Sequence, residues 1–420
     1  MADSRPHPLA VLIVAYRSAD KLERCIESVE RYLPELEVHV WDNSGPESSD
    51  VRRLASRMTN AHWYLNGENI GFAAAVNNLA AVVSGRDFLL LNPDAELVGP
   101  LSLTRAAIGE RGTAAAAPMI WADEGGRGPS KVLSRTHQPW DVAHRRRTVF
   151  NALGEMAVAA ERLRGTWLSN LYWSQPGDVE GYLTGACLAI RREAWDSLGP
   201  FDCEFFLYGE EADWQTRAIA AGWRVRLENE SGVRHSAQGT VAGDTMASTR
   251  SSDLVHASIA LQIEYRYGVR TAELYIAGIY GIDGAKRALR RGDLNRSPSD
   301  VVIIVDGPKS LSASQLVSRA SALAREGHAV TVVSLRRLGA LPRELPPTIR
   351  LLRRPWWWPR TWPGDGSTAL VTGTTKRERA AARLFRFRRR NLRIESVEPA
   401  GHPDGLNPEV TVPNLDLESI

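Results

Sequence analysis

The chain has 420 residues, 43% hydrophobic and 24% charged, a globular composition long enough for two domains and for a core that needs no disulfide or structural metal. Its three cysteines, Cys25, Cys187 and Cys203, include no C-x-x-C pair, which argues against a disulfide framework and structural zinc and fits a reducing cytosol. The net charge of +3 hides a division, because residues 301–420 carry 19 Lys and Arg against 11 Asp and Glu, near +8, leaving the rest near −5.

The polar start MADSRPHP is followed by an apolar run too short for a signal h-region or a spanning helix, and no other stretch reaches about 18 apolar residues. The expectation is a cytoplasmic protein, soluble or peripheral at the inner membrane face. Leu9–Ala15, rich in branched residues, predicts a strand buried on both faces. Ser18–Asp20 offers a cap, and Leu22, Cys25, Ile26 and Val29 recur at helical spacing before a strand at Glu37–Trp41, which completes a βαβ unit. A second unit runs from strand His62–Leu65 through an Ala-rich helix in Gly71–Val83 to strand Asp87–Leu91. A small-residue helix and the apolar segment Ala114–Trp121 come next, and residues 122–178, without sustained periodicity, read as an insertion.

Order returns with strand Tyr182–Ile190, helix Arg192–Leu198, loop Pro200–Gly209, helix Glu211–Ala221 and strand Arg224–Leu227. Residues 253–292 read as mostly helical, closing on a linker at 292–298. A second α/β pattern follows: strand Val301–Val305, helix Ala313–Glu326, strand Ala329–Ser334, strand Ala369–Val371 and basic helix Lys376–Arg390. The fold class is α/β with a mostly parallel central sheet, divided into residues 1–240, a helical extension at 241–298 and a small basic Rossmann-like unit at 299–420.

There is no G-x-G-x-x-G after the first strand, no P-loop, no H-E-x-x-H and no G-x-S-x-G, so dinucleotide, P-loop and serine-hydrolase chemistries have no anchor. What remains are acidic and amide residues at strand ends, where open parallel sheets bind ligands. Asp42-Asn43-Ser44 closes the second strand; alone it reads first as a turn. Asn92-Pro93-Asp94-Ala95-Glu96 follows three leucines, and a carboxylate fixed there suits Mg²⁺ or Mn²⁺ bridging a diphosphate.

With these motifs the chain resembles a family 2 glycosyltransferase of the GT-A fold, in its rhamnosyltransferase-like branch. The matching stretches are Val11–Ser18, Val40–Ser44, Glu68–Asn78, Leu89–Leu97, Leu183–Arg192 and Gly199–Trp214, in order over residues 9–240. The resemblance implies an inverting, metal-assisted transfer from a nucleotide-sugar donor, leading guess rhamnose, to a glycan or lipid-linked acceptor. It places Asp42 and Asn43 at the nucleotide base, Asn92 and Asp94 at the ends of a D-x-D motif with Asp94 as metal ligand, and Asn69, Gly71 and Asn77 beside the donor. Tyr16 and Arg17 sit at the end of the first strand on the donor side, with Arg17 where relatives place Asn. Glu210-Glu211-Ala212-Asp213-Trp214 replaces E-D-x-D, which puts Glu211 at the general base and Glu210 and Asp213 beside it. Thr184, Gly185, Ala186 and Trp214 fall on the acceptor side, and His235 where a histidine reaches metal or diphosphate. Without the resemblance, two carboxylates opening a helix read first as a response to the helix dipole.

The later part offers no catalytic set. Arg353-Arg354-Pro355-Trp356-Trp357-Trp358-Pro359-Arg360-Thr361-Trp362 and the basic run to Arg390 have the composition of a membrane–water interface, or of an interface within the chain where Trp packs and Arg stacks; both stay open. No nucleic-acid partner is expected, because residues 1–300 are acidic and no RNA-binding motif is present. The competing functions are a nucleotidyltransferase, whose Gly- and Lys-rich loop is missing, and a non-catalytic nucleotide-sugar-binding subunit. Oligomeric state is not encoded in these motifs.

Overall fold

The computed structural model describes residues 9–45, 48–122, 142–235, 245–289, 301–307, 313–358, 368–371, 375–388 and 393–396. The first half opens with β1 (Leu9–Ala15), α1 (Ala19–Tyr32), β2 (Glu37–Asp42), α2 (Ser49–Arg57), β3 (Ala61–Leu65), α3 (Phe72–Val82), β4 (Asp87–Leu91) and β5 (Ala95–Leu97). It continues with α4 (Ser102–Gly109), β6 (Thr113–Ala122), β7 (Ala143–His144), α5 (Val149–Ala157), β8 (Gly177–Asp178), β9 (Tyr182–Leu183) and β10 (Cys187–Ile190). Then come α6 (Arg192–Leu198), α7 (Glu210–Ala220), β11 (Arg224–His235), α8 (Thr245–Tyr267) and α9 (Val269–Leu289). The remainder is β12 (Val301–Val305), α10 (Ala313–Arg325), β13 (Val330–Ser334), α11 (Leu341–Glu344), β14 (Arg350–Arg353), β15 (Thr368–Val371), α12 (Lys376–Arg388) and β16 (Arg393–Ser396).

The large sheet has the order β3-β2-β1-β4-β10-β6-β11-β5, with β8 on β11. β1 through β4 pair in parallel, as do β6 and β11, whereas β10 runs antiparallel to both β4 and β6. β1 explains why the sheet is covered twice. Its Ala10, Leu12 and Val14 pack with α3 on one face, and Val11, Ile13 and Ala15 with α1 on the other; strand side chains alternate, so a continuous apolar run serves two cores. A second sheet, β14-β13-β12-β15-β16, is wholly parallel. α8 lies across it: Leu254 and Ala257 join the core of β12 and β13 together with Phe206 and Leu207.

Three segments differ from the sequence expectation. The strand read at 182–190 is broken, because Thr184–Ala186 leaves the ladder between β9 and β10. The helical stretch at 253–292 is two helices parted at Gly268, whose φ of +86° ends α8. β11 runs past Leu227 to His235 through register shifts against β6, and bulges of this kind redirect a strand without ending it. The expected linker at 292–298, Trp140 and Trp362 lie outside the described residues. No helix among the described residues is long and apolar enough to cross a membrane.

The described part of the Trp/Arg stretch faces inward. Arg353 is buried against Glu264, the Arg354 guanidinium lies 5.0 Å over the Tyr280 ring, and the Trp357 indole donates to Glu273 at 2.7 Å. Of the two readings of this stretch, residues 353–358 follow the one with an interface inside the chain; residues 359–367 are outside the described set.

Candidate active site

The end of β4 carries the acidic motif. The backbone N–H of Asn92 donates to Ala186 O at 3.0 Å, and its carbonyl accepts from Ala95 N at 3.0 Å, a tight turn that aims Asp94 off the sheet. β5 pairs antiparallel with the end of β11 and sets His235 opposite Ala95, so His235 Nε2 comes to 3.1 Å from Asp94 Oδ1. Gly232 makes this possible: a Cβ there would meet Pro118 at 2.0 Å. Glu96, two residues on, is held by Arg24 at 3.0 Å.

Asp94 and His235 fit a divalent ion. They offer one hard carboxylate oxygen and one imidazole nitrogen, both partly buried and fixed by paired strands, a donor set acceptable to Mn²⁺ or Mg²⁺. A second group of possible ligands, Glu37, His39 and His62, lies on β2 and β3. There Arg86 holds Glu37 at 2.6 Å and the two imidazoles stack at 4.7 Å, contacts that account for the cluster without an ion.

At the end of β2, Asp42 is fully buried. One oxygen accepts from Ser44 N at 3.0 Å, and the other has no hydrogen-bond partner. Asn43 Oδ1 accepts from Ile70 N at 2.8 Å, Asn69 Oδ1 from Gly71 N at 3.0 Å, and Ser44 Oγ from Arg17 N at 2.8 Å. These bonds lace the loops after β1, β2 and β3 into one rigid surface. Arg17 takes a left-handed conformation, φ +49°, with its guanidinium 5.1 Å over the Tyr16 ring.

Two residues read from sequence as donor contacts do a different job. Asn77 donates to Phe201 O at 2.9 Å and accepts from Phe201 N at 3.0 Å, so its amide anchors the loop before α7. Gly71 has φ +87°, and a Cβ would lie 2.8 Å from both the ring and the carbonyl of Phe206. The close approach that requires glycine is thus to this loop.

α7 carries the carboxylates. Tyr208 and Gly209 are both left-handed, φ +72° and +92°, and turn the chain sharply into the helix. Glu211 Oε2 accepts from Gly209 N at 3.2 Å. Burial raises the Glu211 carboxyl above the usual range, while backbone N–H groups at the helix start pull it back down. Glu210 is 3% exposed, one of its oxygens lacks a partner, and burial, helped by Glu211, holds its carboxyl well above the ordinary value. Asp213 is paired with Arg217 at 3.0 Å.

Gly185 places the β9–β10 turn against this group, its Cβ position 3.6 Å from Glu211 Cγ. Asp94, Asn92, Ala186, Gly185 and Glu211 therefore form one continuous chain of contacts. Trp214, read from sequence as an acceptor contact, is corrected: it is fully buried, packs with Trp195 and Phe201, and donates to Gly199 O at 3.0 Å.

Sequence reading missed Gln215 and Tyr182. Gln215, one turn after Glu211, accepts from Leu183 N and donates to Leu183 O, both at 2.8 Å, and clamps α7 to β9. The Tyr182 hydroxyl accepts from Asn170 at 3.2 Å and its ring stacks on His144. The i, i+4 spacing of Glu211 and Gln215 was the available signal for the first; nothing local marks the second.

The sequence profile described as Glycosyl transferase family 2 matches residues 10–154, which hold β1 to β6 with Asp42, Asn92 and Asp94. The chain is a glycosyltransferase with its family 2 match over residues 10–154. This transferase is similar to the N-acetylglucosaminyl-diphospho-decaprenol L-rhamnosyltransferase of Mycobacterium tuberculosis, strains CDC 1551 and H37Rv, at 25% identity over 263 residues, 55% of this chain and 77% of the relative. Among solved structures, it is similar to the mannosyltransferase PcManGT of Pyrobaculum calidifontis, with 14% identity and a TM-score of 0.40 over 76% of this chain and 81% of that one. S. aureus TarS 1–349 aligns at 12% identity and a TM-score of 0.38, covering 75% and 79%. The transferase region is α/β, with β10 as the antiparallel strand between β4 and β6.

Proposed function

We propose that this glycosyltransferase moves a sugar, with L-rhamnose first, from a nucleoside-diphosphate donor to a hydroxyl of a glycan or lipid-linked acceptor, inverting the anomeric centre. The observation that carries the reading is the run of contacts from Asp94 and His235 through Asn92, Ala186 and Gly185 to Glu211, which supports a metal-ligand pair and a buried carboxylate serving one site. The rhamnosyl donor and lipid-linked acceptor are supported by the mycobacterial relative.

In this mechanism the unpartnered oxygen of Asp42 accepts an N–H of the nucleotide base, which relieves a buried acceptor that is otherwise costly. Asp94 and His235 would hold Mg²⁺ or Mn²⁺, which supplies positive charge against the departing diphosphate. Glu211 takes the proton of the acceptor hydroxyl as its oxygen bonds to the anomeric carbon from the face opposite the nucleotide; the bond from that carbon to the phosphate oxygen breaks, and the nucleoside diphosphate leaves. A carboxyl raised by burial is a stronger base when ionised than an exposed one, and so is better matched to this task near neutral pH.

The test is transfer from dTDP-rhamnose and competing nucleotide sugars with Mn²⁺ or Mg²⁺. Glu211→Gln is expected to lower transfer by about 10²- to 10⁴-fold with donor affinity unchanged, and Asp94→Asn to remove the response to added metal. Wild-type transfer by Glu211→Gln removes that residue as the base.

A further inference from the structure

The excursion between β6 and β9 carries three large rings that the core does not use. Phe150, Trp167 and Trp173 are 63%, 65% and 59% exposed. Phe150 meets Trp167 edge-on at 5.2 Å, and the turn that carries Trp167 also approaches Trp173, the Gly165 Cβ position lying 3.3 Å from that ring. The inner face of α5 is already satisfied, because Ala152, Leu153 and Met156 pack with Ile276 and Ile279 of α9, so Phe150 stands on the other side by construction. Exposed apolar surface of this extent marks an interaction site.

The charge around the rings selects the partner. Residues 142–175 contain five arginines and two glutamates, and one of those acids, Glu155, is consumed by Arg147 at 2.5 Å and by Asn170 N. Arg164 lies 5.2 Å over Trp173, and Arg145 lies 5.4 Å over Tyr172 while donating to Thr166 O at 2.8 Å. Tryptophan beside surplus arginine suits the headgroup region of an anionic bilayer, where the ring takes the apolar side and the guanidinium the phosphate. The Trp/Arg pairing at 353–358 that first suggested this composition is spent inside the chain, whereas this one is presented outward.

We propose that Phe150, Trp167 and Trp173, with Arg145, Arg162 and Arg164, form a docking surface for an anionic lipid bilayer. The surface is tied to the catalytic helix: Asn170 bonds Tyr182, and the neighbouring Leu183 is clamped by Gln215 one turn from Glu211. Docking would therefore present the acceptor side of the site to the lipid surface. The proposal deepens the transferase reading by naming where the acceptor is met, and rests on that reading only for this purpose.

The experiment is co-sedimentation of the full chain with vesicles of phosphatidylglycerol and phosphatidylcholine, against pure phosphatidylcholine, alongside nucleotide-sugar hydrolysis without vesicles. Wild type is expected to bind the anionic vesicles at least tenfold better, with binding that weakens as salt rises. The Phe150→Ser, Trp167→Ser, Trp173→Ser variant is expected to lose that binding while keeping its melting temperature and donor hydrolysis. Arg162→Gln with Arg164→Gln should weaken it in part, as a second probe that removes charge without removing a ring. No wild-type binding, or unchanged binding by the triple variant, overturns the docking surface; so does loss of self-association in that variant, which would make a second copy the partner. Vesicle binding without turnover of any nucleotide sugar supports docking and removes the transferase mechanism.

Discussion

Glu210 and Glu211 are adjacent and chemically identical, yet the helix start gives them different surroundings. Glu211 keeps a hydrogen bond from Gly209 N and touches the Gly185 turn, whereas Glu210 is almost fully enclosed with one oxygen unpartnered. A carboxyl raised in the folded state binds its proton more tightly there than in the unfolded chain, so folding stability falls as pH rises from the unfolded value, about 4.3, through the higher folded one. Glu210→Gln is therefore expected to match the parent below about pH 4 and to melt at a higher temperature by a margin that grows with pH and then levels off. Thermal melts at several pH values check this, and a margin that shrinks with rising pH contradicts it. For Glu211 the same raised value moves the acid limb of the transfer rate above the ordinary glutamate range, which a pH–rate profile reads. The sequence identified the pair as a helix opening with acidic residues; which member is enclosed depends on the β9–β10 turn, brought there from elsewhere in the chain.

At the scale of elements, the loop from Pro200 to Gly209 is held from two directions: by Asn77 of α3, through both ends of its amide, and by the contact of Gly71 with Phe206. Both residues fall in a motif that sequence reading assigned to the donor, and their spacing carries no sign that their partner lies about 125 residues further on. Gly71→Ala combines a left-handed φ with a 2.8 Å clash against backbone, so it is expected to destabilise the protein by about 1–3 kcal/mol and to shift the entry to α7. Urea unfolding reads the first effect, and a fall in kcat at unchanged donor affinity reads the second. β11 makes a similar point. The alternation Arg224–Leu227 was legible, but its continuation to His235 relies on bulges and on Gly232 beneath Pro118, and neither follows a period.

For the whole molecule, the second sheet is fastened to α8 and to the loop before α7. Glu264, 5% exposed in its side chain, takes both Arg353 and Arg337, and Arg337 also reaches Glu204 at 3.2 Å. Arg250 donates to Ile349 O at 2.5 Å, and burial lowers its pKa to about 10. Glu264→Ala strands the buried Arg353 and is expected to cost about 3–5 kcal/mol. Glu204→Ala, at the half-exposed end, should cost no more than about 1 kcal/mol. Denaturant unfolding of the two variants separates these values, and equal small effects would show that the network does not hold the sheets together.

Sequence alone determined the α/β class and the doubly covered first strand, because buried strands write continuous apolar runs, while Asp42, Asn92, Asp94 and Glu211 were singled out by the family resemblance. Tertiary structure alone decided which of these residues meet. The pairing of Asp94 with His235 crosses 141 positions, Trp357 turns inward onto α9 and Trp356 onto the core of the second sheet, and Phe150, Trp167 and Trp173 turn outward. Periodicity records which face of an element is apolar; the element that covers that face is set by packing between distant segments, and no local pattern encodes it.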